Sequence, residues 1–249
     1  MRRYPSVYTS SFSFGPGPIS TALKALIAAN VVMFLATTLV RSIDLSAILG
    51  LVPVLVVRRL WIWQPVTYMF LHAGLFHLLF NMLALWMFGT ELERMWGSRY
   101  FLKFYFVTGI GAGLLTVAIS LLGFGFARMI YVVPTIGASG AIYGLLLAYA
   151  LYFPDRPIYM YFLFPVPAKI FVLIMGGIAF YASLAEAGGV ANATHLSGLL
   201  VGYLYLKSAR IHPMAELKYR YLKWRINRVR KKFDVYSGGR ADDWDRRVH

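Results

Sequence analysis

Ser139 sits in Gly137-Ala138-Ser139-Gly140, and His195 opens a different apolar segment. A serine hydroxyl is a weak nucleophile until a neutral imidazole within hydrogen-bond reach takes its proton. The pairing of these two residue types therefore points to acyl transfer through a Ser–His couple. His77 and Asn81 are four residues apart, so on a helix they share one face. Both side chains can donate hydrogen bonds toward a single point. His72 lies five positions before His77, and Glu93 lies four before Gly97. Glycine pairs Gly140/Gly144 and Gly198/Gly202 follow the serine and the histidine. Such GxxxG spacing lets two helix backbones approach closely. If those two faces meet, hydroxyl and imidazole come together.

The elements that must carry these groups are hydrophobic. The chain has 249 residues, 59% hydrophobic and 14% charged, with mean hydropathy +0.62. Soluble domains run at about half apolar and about a quarter charged. The composition is that of an integral membrane protein with one helical membrane domain. No cysteine is present, which removes disulfides, thiolate nucleophiles and Cys-based metal sites. The net charge is +15, but 13 of the 25 Lys and Arg lie from Lys207 onward. A basic cluster just after a membrane helix contacts anionic lipid headgroups. Membrane lipids, not nucleic acid, are the expected partner of that charge. The alternating aromatic and basic residues Tyr219 to Arg225 read as an interfacial helix.

A helix needs about 20 apolar residues to cross the hydrocarbon. Six apolar segments are expected, at 19–40, 75–96, 100–122, 139–153, 169–184 and 193–208. The fourth, counted from Ser139, is too short to cross alone. Residues 41–69 read as a long connection with short amphipathic pieces in the interface. Six crossings put both termini on one side, and the bias of Lys and Arg puts that side in the cytoplasm. The starts of segments two, four and six then lie toward the outer face. That gathers His72, His77, Asn81, Ser139 and His195 at one depth. Residues 133–138 are non-helical backbone at that depth, so they must line a wet cavity or be buried in protein.

Each of these residues has a plainer reading. Ser139 could be a helix N-cap, and His195, His77 and Asn81 could be polar contacts between helices. Tyr143 could be ordinary core, and Glu93 a partner for a cation at a helix end. The three histidines lack a neighbouring carboxylate, so no metal and no cofactor are expected.

Taken together, His72-x4-His77-x3-Asn81, Glu93-x3-Gly97, Gly137-Ala138-Ser139-Gly140 with Tyr143, and His195-x2-Gly198-x3-Gly202 resemble the signatures of the rhomboid intramembrane serine proteases. The resemblance covers residues 19–208. It implies an all-α, six-helix membrane bundle, with a cytoplasmic segment 1–18 and a basic cytoplasmic tail 209–249. It implies Ser139 as nucleophile and His195 as general base. His77, Asn81 and the Ser139 N–H would form the oxyanion hole. Tyr143 would pack on the base, and His72 and Glu93 would be structural. The first connection, 41–69, would be partly embedded in the membrane. The implied activity is endopeptidase cleavage of transmembrane-anchored proteins, in the bacterial plasma (inner) membrane, with the site open to the outer face. Substrate access is expected between segments two and five, with 186–192 as a flexible cap. Two positions depart from the family pattern. Gln64 stands where an Arg usually follows Trp63, and Thr194 stands where an Ala usually precedes the histidine. An inactive rhomboid-like scaffold that binds membrane helices is the alternative, though inactive relatives usually lack the serine or the histidine.

Overall fold

The computed structural model describes residues 17–40, 42–123, 126–160, 163–184 and 189–210, with Lys223 and Arg228. The chain divides into two units, Met1–Leu206 and Lys207–His249. The second unit carries most of the basic tail, which lies outside the described residues apart from 207–210, Lys223 and Arg228.

Each apolar segment falls on a helix: α1 (Thr21–Leu39), α5 (Leu75–Trp96), α6 (Ser98–Ser120), α8 (Ser139–Tyr152), α9 (Ala168–Leu184) and α10 (Gly189–Arg210). The first connection folds into α2 (Leu45–Leu49), α3 (Pro53–Arg59), α4 (Gln64–Thr67) and a 3-10 turn, Tyr68–Phe70. A further helix, α7 (Phe126–Val132), lies between α6 and α8. By length and composition, α1, α5 and α6 can each cross a membrane.

Local chemistry sets the helix ends. Ser20 caps α1 by accepting from the Leu23 N–H at 3.0 Å, and Asp44 caps α2 through the Ala47 N–H at 3.0 Å. Pro53 opens α3 at a position where its missing N–H costs nothing. Gly97 joins α5 to α6 at φ +77°, a conformation that side chains with a Cβ rarely adopt.

The core is centred on α8. Ten of its fourteen residues are buried, and it packs between α5 and α6. A helix apolar on every side has to be enclosed in this way or face lipid. α1 packs on α5.

The all-α expectation needs one correction. A two-stranded antiparallel hairpin, β1 (Pro157–Met160) with β2 (Phe164–Pro167), joins α8 to α9. Part of the expected flexible cap at 186–192 is helical. Residues 189–192 form the first turn of α10, because Gly189 and the residues after it continue the helical hydrogen bonding. Residues 185–188 lie outside the described residues.

Candidate active site

Ser139 is the first residue of α8, and the loop before it is held from behind at two points. Leu51 and Thr135 exchange a pair of backbone hydrogen bonds, both 2.9 Å. The Gly137 N–H donates to the Tyr68 carbonyl at 2.9 Å. Tyr68 is fully buried, and its hydroxyl donates to the Gly109 carbonyl at 2.7 Å. Gly137 has φ +128°. A Cβ there would meet His77 Nε2 at 2.9 Å and Ser139 Oγ at 3.5 Å. Glycine is required twice over, for the backbone angle and for the space beside the hydroxyl.

His195 arrives on α10. His195 Nε2 lies 2.8 Å from Ser139 Oγ. The Tyr143 ring, one turn into α8, stacks on the imidazole with centroids 4.2 Å apart and planes 5° apart. His195 Nδ1 is buried with no hydrogen-bond partner among the described residues. For Nε2 to accept the serine proton, Nδ1 must carry the ring hydrogen. The ring is then oriented by stacking and packing rather than by a carboxylate.

Glycine makes this approach possible. A Cβ on Gly198 would strike the carbonyl of Gly140, and one on Gly202 would lie 3.1 Å from the Gly144 Cα. The glycine faces of α8 and α10 are therefore in backbone contact. Thr194 adds a polar tie. Its hydroxyl is 2.9 Å from that of Thr116, which donates to the Ala112 carbonyl at 2.8 Å. Either hydroxyl can be the donor between them. Both threonines are buried. The departure at Thr194 thus supplies a hydroxyl link between α10 and α6.

His77 and Asn81 lie one turn apart on α5. The Ala73 N–H donates to His77 Nδ1 at 3.3 Å, so in the neutral ring Nε2 carries the hydrogen. That donor lies beside Gly137, on the side where the Ser139 hydroxyl also approaches it. Asn81 commits one amide hydrogen to the His77 carbonyl at 2.7 Å, leaving the other for a ligand. The His72 ring meets His77 edge-on, with centroids 5.0 Å apart. Burial, and then the nearby His77, push His72 down to about 4.

Glu93 is remote from this cluster. It accepts from the Ser20 hydroxyl at 2.5 Å, tying α5 to the start of α1. Among the described residues its bonded partner is a serine and not a cation. Gln64 is fully buried within the first connection. Its Oε1 accepts from the Val52 N–H at 3.0 Å, and its Nε2 donates to the Ile48 carbonyl at 3.3 Å. The amide thus makes polar bonds inside that connection without the family's arginine. Among the described residues no group of three or more His, Cys, Asp or Glu is arranged to hold a metal.

Sequence reasoning did not single out Tyr68 or Thr116. For Thr116 a signal was available, because Gly109, Ala112, Gly113 and Thr116 form a small-residue face on α6. Tyr68 acts mainly through its carbonyl, which no residue type announces.

A model of the Rhomboid domain matches residues 58–209, more than half of the chain. Rhomboid protein 1, mitochondrial, of Saccharomyces cerevisiae is 37% identical over 138 residues, 55% of this chain and 38% of that protein. The Rhomboid protease GluP of Bacillus subtilis is 36% identical over 141 residues, 57% of this chain and 25% of that protein. The Rhomboid protease GlpG of Yersinia pestis is 27% identical over 205 residues, 79% of this chain and 64% of that protein. Each match thus spans less than two thirds of the relative's length. The matched span holds the serine, the stacked histidine and the glycine faces, and on that match the chain belongs to the rhomboid family of membrane proteins.

Proposed function

We propose that this protein is an intramembrane serine endopeptidase that cleaves membrane-anchored proteins within or just outside their transmembrane helix. The observation that carries the reading is the 2.8 Å separation of Ser139 Oγ and His195 Nε2 beneath the Tyr143 ring. Ser139 attacks the scissile carbonyl while His195 takes its proton. The tetrahedral oxyanion accepts from the Ser139 N–H, from His77 Nε2–H and from the free Asn81 amide hydrogen. Pre-aimed donors of this kind are typically worth about 10²–10³ in rate each. His195 then returns the proton to the leaving amine, and water resolves the acyl-enzyme with His195 as base again.

Six membrane crossings, by α1, α5, α6, α8, α9 and α10, put both termini in the cytoplasm and open the site toward the outer face. The first connection lies partly in the membrane. The substrate helix reaches the site laterally between α5 and α9. It unwinds locally first, because helical carbonyls are already hydrogen-bonded.

The test is cleavage of a single-pass reporter substrate in proteoliposomes, together with fluorophosphonate labelling. Ser139→Ala should abolish both cleavage and labelling. Cleavage that survives Ser139→Ala would refute the nucleophile. A wild-type chain that neither cleaves nor labels would favour the inactive scaffold.

A further inference from the structure

The hairpin between α8 and α9 is built unlike an ordinary exposed β-ribbon. Its register pairs Pro157 with Pro167, Ile158 with Val166, Tyr159 with Pro165 and Met160 with Phe164. Two prolines cannot exchange backbone hydrogen bonds. Pairs alternate along an antiparallel ladder, so 157/167 and 159/165 are the non-bonded pairs. Their N–H positions face outward, to the free edges. Of those four outward positions three are proline, and only Tyr159 keeps a free donor. A free strand edge is costly to bring into lipid because its N–H groups go unpaired. Here three of the four outward N–H groups are absent, which removes most of the donor share of that cost, while the outward carbonyls still call for hydrogen bonds from headgroups or interfacial water.

The side chains match such an environment. Tyr159 is 57% exposed, Leu163 73% and Phe164 64%. These residues continue onto the exposed apolar face of α9 at Ile170, Leu173 and Ile174, which faces lipid in an integral membrane protein. The base of the hairpin is charged and tied to α5 and α9. Arg156 pairs with Glu91 at 2.6 Å, and Lys169 with Asp155 at 2.6 Å. The Ala168 N–H donates to the Arg156 carbonyl at 3.0 Å, and the Lys169 N–H to the Pro154 carbonyl at 3.1 Å. Exposed aromatics beside paired charges are the composition of a headgroup layer.

We propose that this hairpin is an interfacial anchor, seated in the phospholipid headgroup and upper acyl layer on the face opposite Ser139. It holds the C-terminal end of α8 at that level. α8 has 14 residues, about 21 Å at ~1.5 Å per residue, against about 30 Å of hydrocarbon. With its C-terminal end anchored, α8 begins about 9 Å beneath the other surface. The anchor therefore sets the depth of Ser139. That consequence rests on reading Ser139 as the nucleophile, whereas the lipid contact does not.

The chain has no cysteine, so a single nitroxide can be attached in the whole 249-residue chain. Leu163→Cys carries it in phosphatidylcholine/phosphatidylglycerol liposomes, and Phe164→Cys is the second site if the first variant fails to fold. The expected result is collision with oxygen in excess of collision with a water-soluble nickel chelate. A label as open to the chelate as free nitroxide in buffer overturns the proposal. A label shielded from both reagents marks a protein contact and overturns it equally. The depth claim is read separately, as the bond cut in the reporter substrate, identified by mass spectrometry. The Tyr159→Ser/Phe164→Ser variant should shift that bond or lose cleavage in liposomes, while fluorophosphonate labelling persists in detergent. An unshifted bond at an unchanged rate overturns the depth role. Wild-type chain that fails to label at all strikes instead at the protease reading and leaves the nitroxide result standing.

Discussion

The backbone of Gly198 lies against the carbonyl of Gly140, so that even a methyl group on Gly198 would collide with it. The backbone carbonyl cannot rotate away as a side chain could. Gly198→Ala must therefore push α10 away from α8, and His195 moves with it. A displacement near 1 Å at a reacting pair costs on the order of 10²-fold in rate. Cleavage of the reporter substrate by this variant should fall by about that factor, while Gly177→Ala, with open space at its Cβ position, should leave it unchanged.

The threonine pair should act more gently. Interhelical hydrogen bonds in membranes contribute roughly 0.6 kcal/mol on average and up to about 1.7. Thr194→Val should slow fluorophosphonate labelling by about 3- to 20-fold, and Thr116→Val should do the same. The double variant should be no slower than the worse single one, because the two hydroxyls share one bond. Thr194→Ser should restore most of the rate.

Tyr143 contributes its ring face to His195, so Tyr143→Phe should keep near-normal activity. Tyr143→Ala removes the stack. Aromatic pairs are worth about 0.5–1.5 kcal/mol beyond their buried area. The loss in kcat should approach tenfold, read as single-turnover acylation.

Burial at His72 gives a pH dependence with a definite sign. The unfolded ring takes up its proton near 6.5, the folded one near 4. Between those values the unfolded chain binds more protons, so stability rises with pH. The contribution is complete above about 6.5 and is lost as pH falls toward 4. Thermal unfolding in detergent should show a midpoint that drops across this window, and the drop should be smaller in His72→Asn.

Gln64 answers two backbone groups at once. Gln64→Ala strands the buried Val52 N–H, which costs about 1–3 kcal/mol. The thermal midpoint should fall accordingly, with the Ser139 environment affected only secondarily.

The parts of this site that were legible in the sequence are those governed by spacing. The positions of Gly140, Gly144, Gly198 and Gly202 indicated which faces of α8 and α10 meet, because only small residues permit that contact. Helix periodicity put His77 and Asn81 on one face. What remained hidden depends on rotation and on backbone atoms. Thr116 and Thr194 are 78 residues apart, and their bond requires the angle of α10 about its own axis. Glu93 reads as a partner for a cation at a helix end, yet Ser20 reaches it from the start of α1. The hairpin was missed because its prolines resemble a plain connection, and their strand role emerges only from the register.

The backbone exchange between Leu51 and Thr135 has a practical corollary. The family match begins at residue 58, seven positions after Leu51. A protein trimmed to the matched block would keep serine, histidine and both glycine pairs. It would nonetheless lose one of the two struts bracing the peptide ahead of Ser139. Minimal versions should start before α2, since the scaffold of this site reaches further upstream than homology alone delimits.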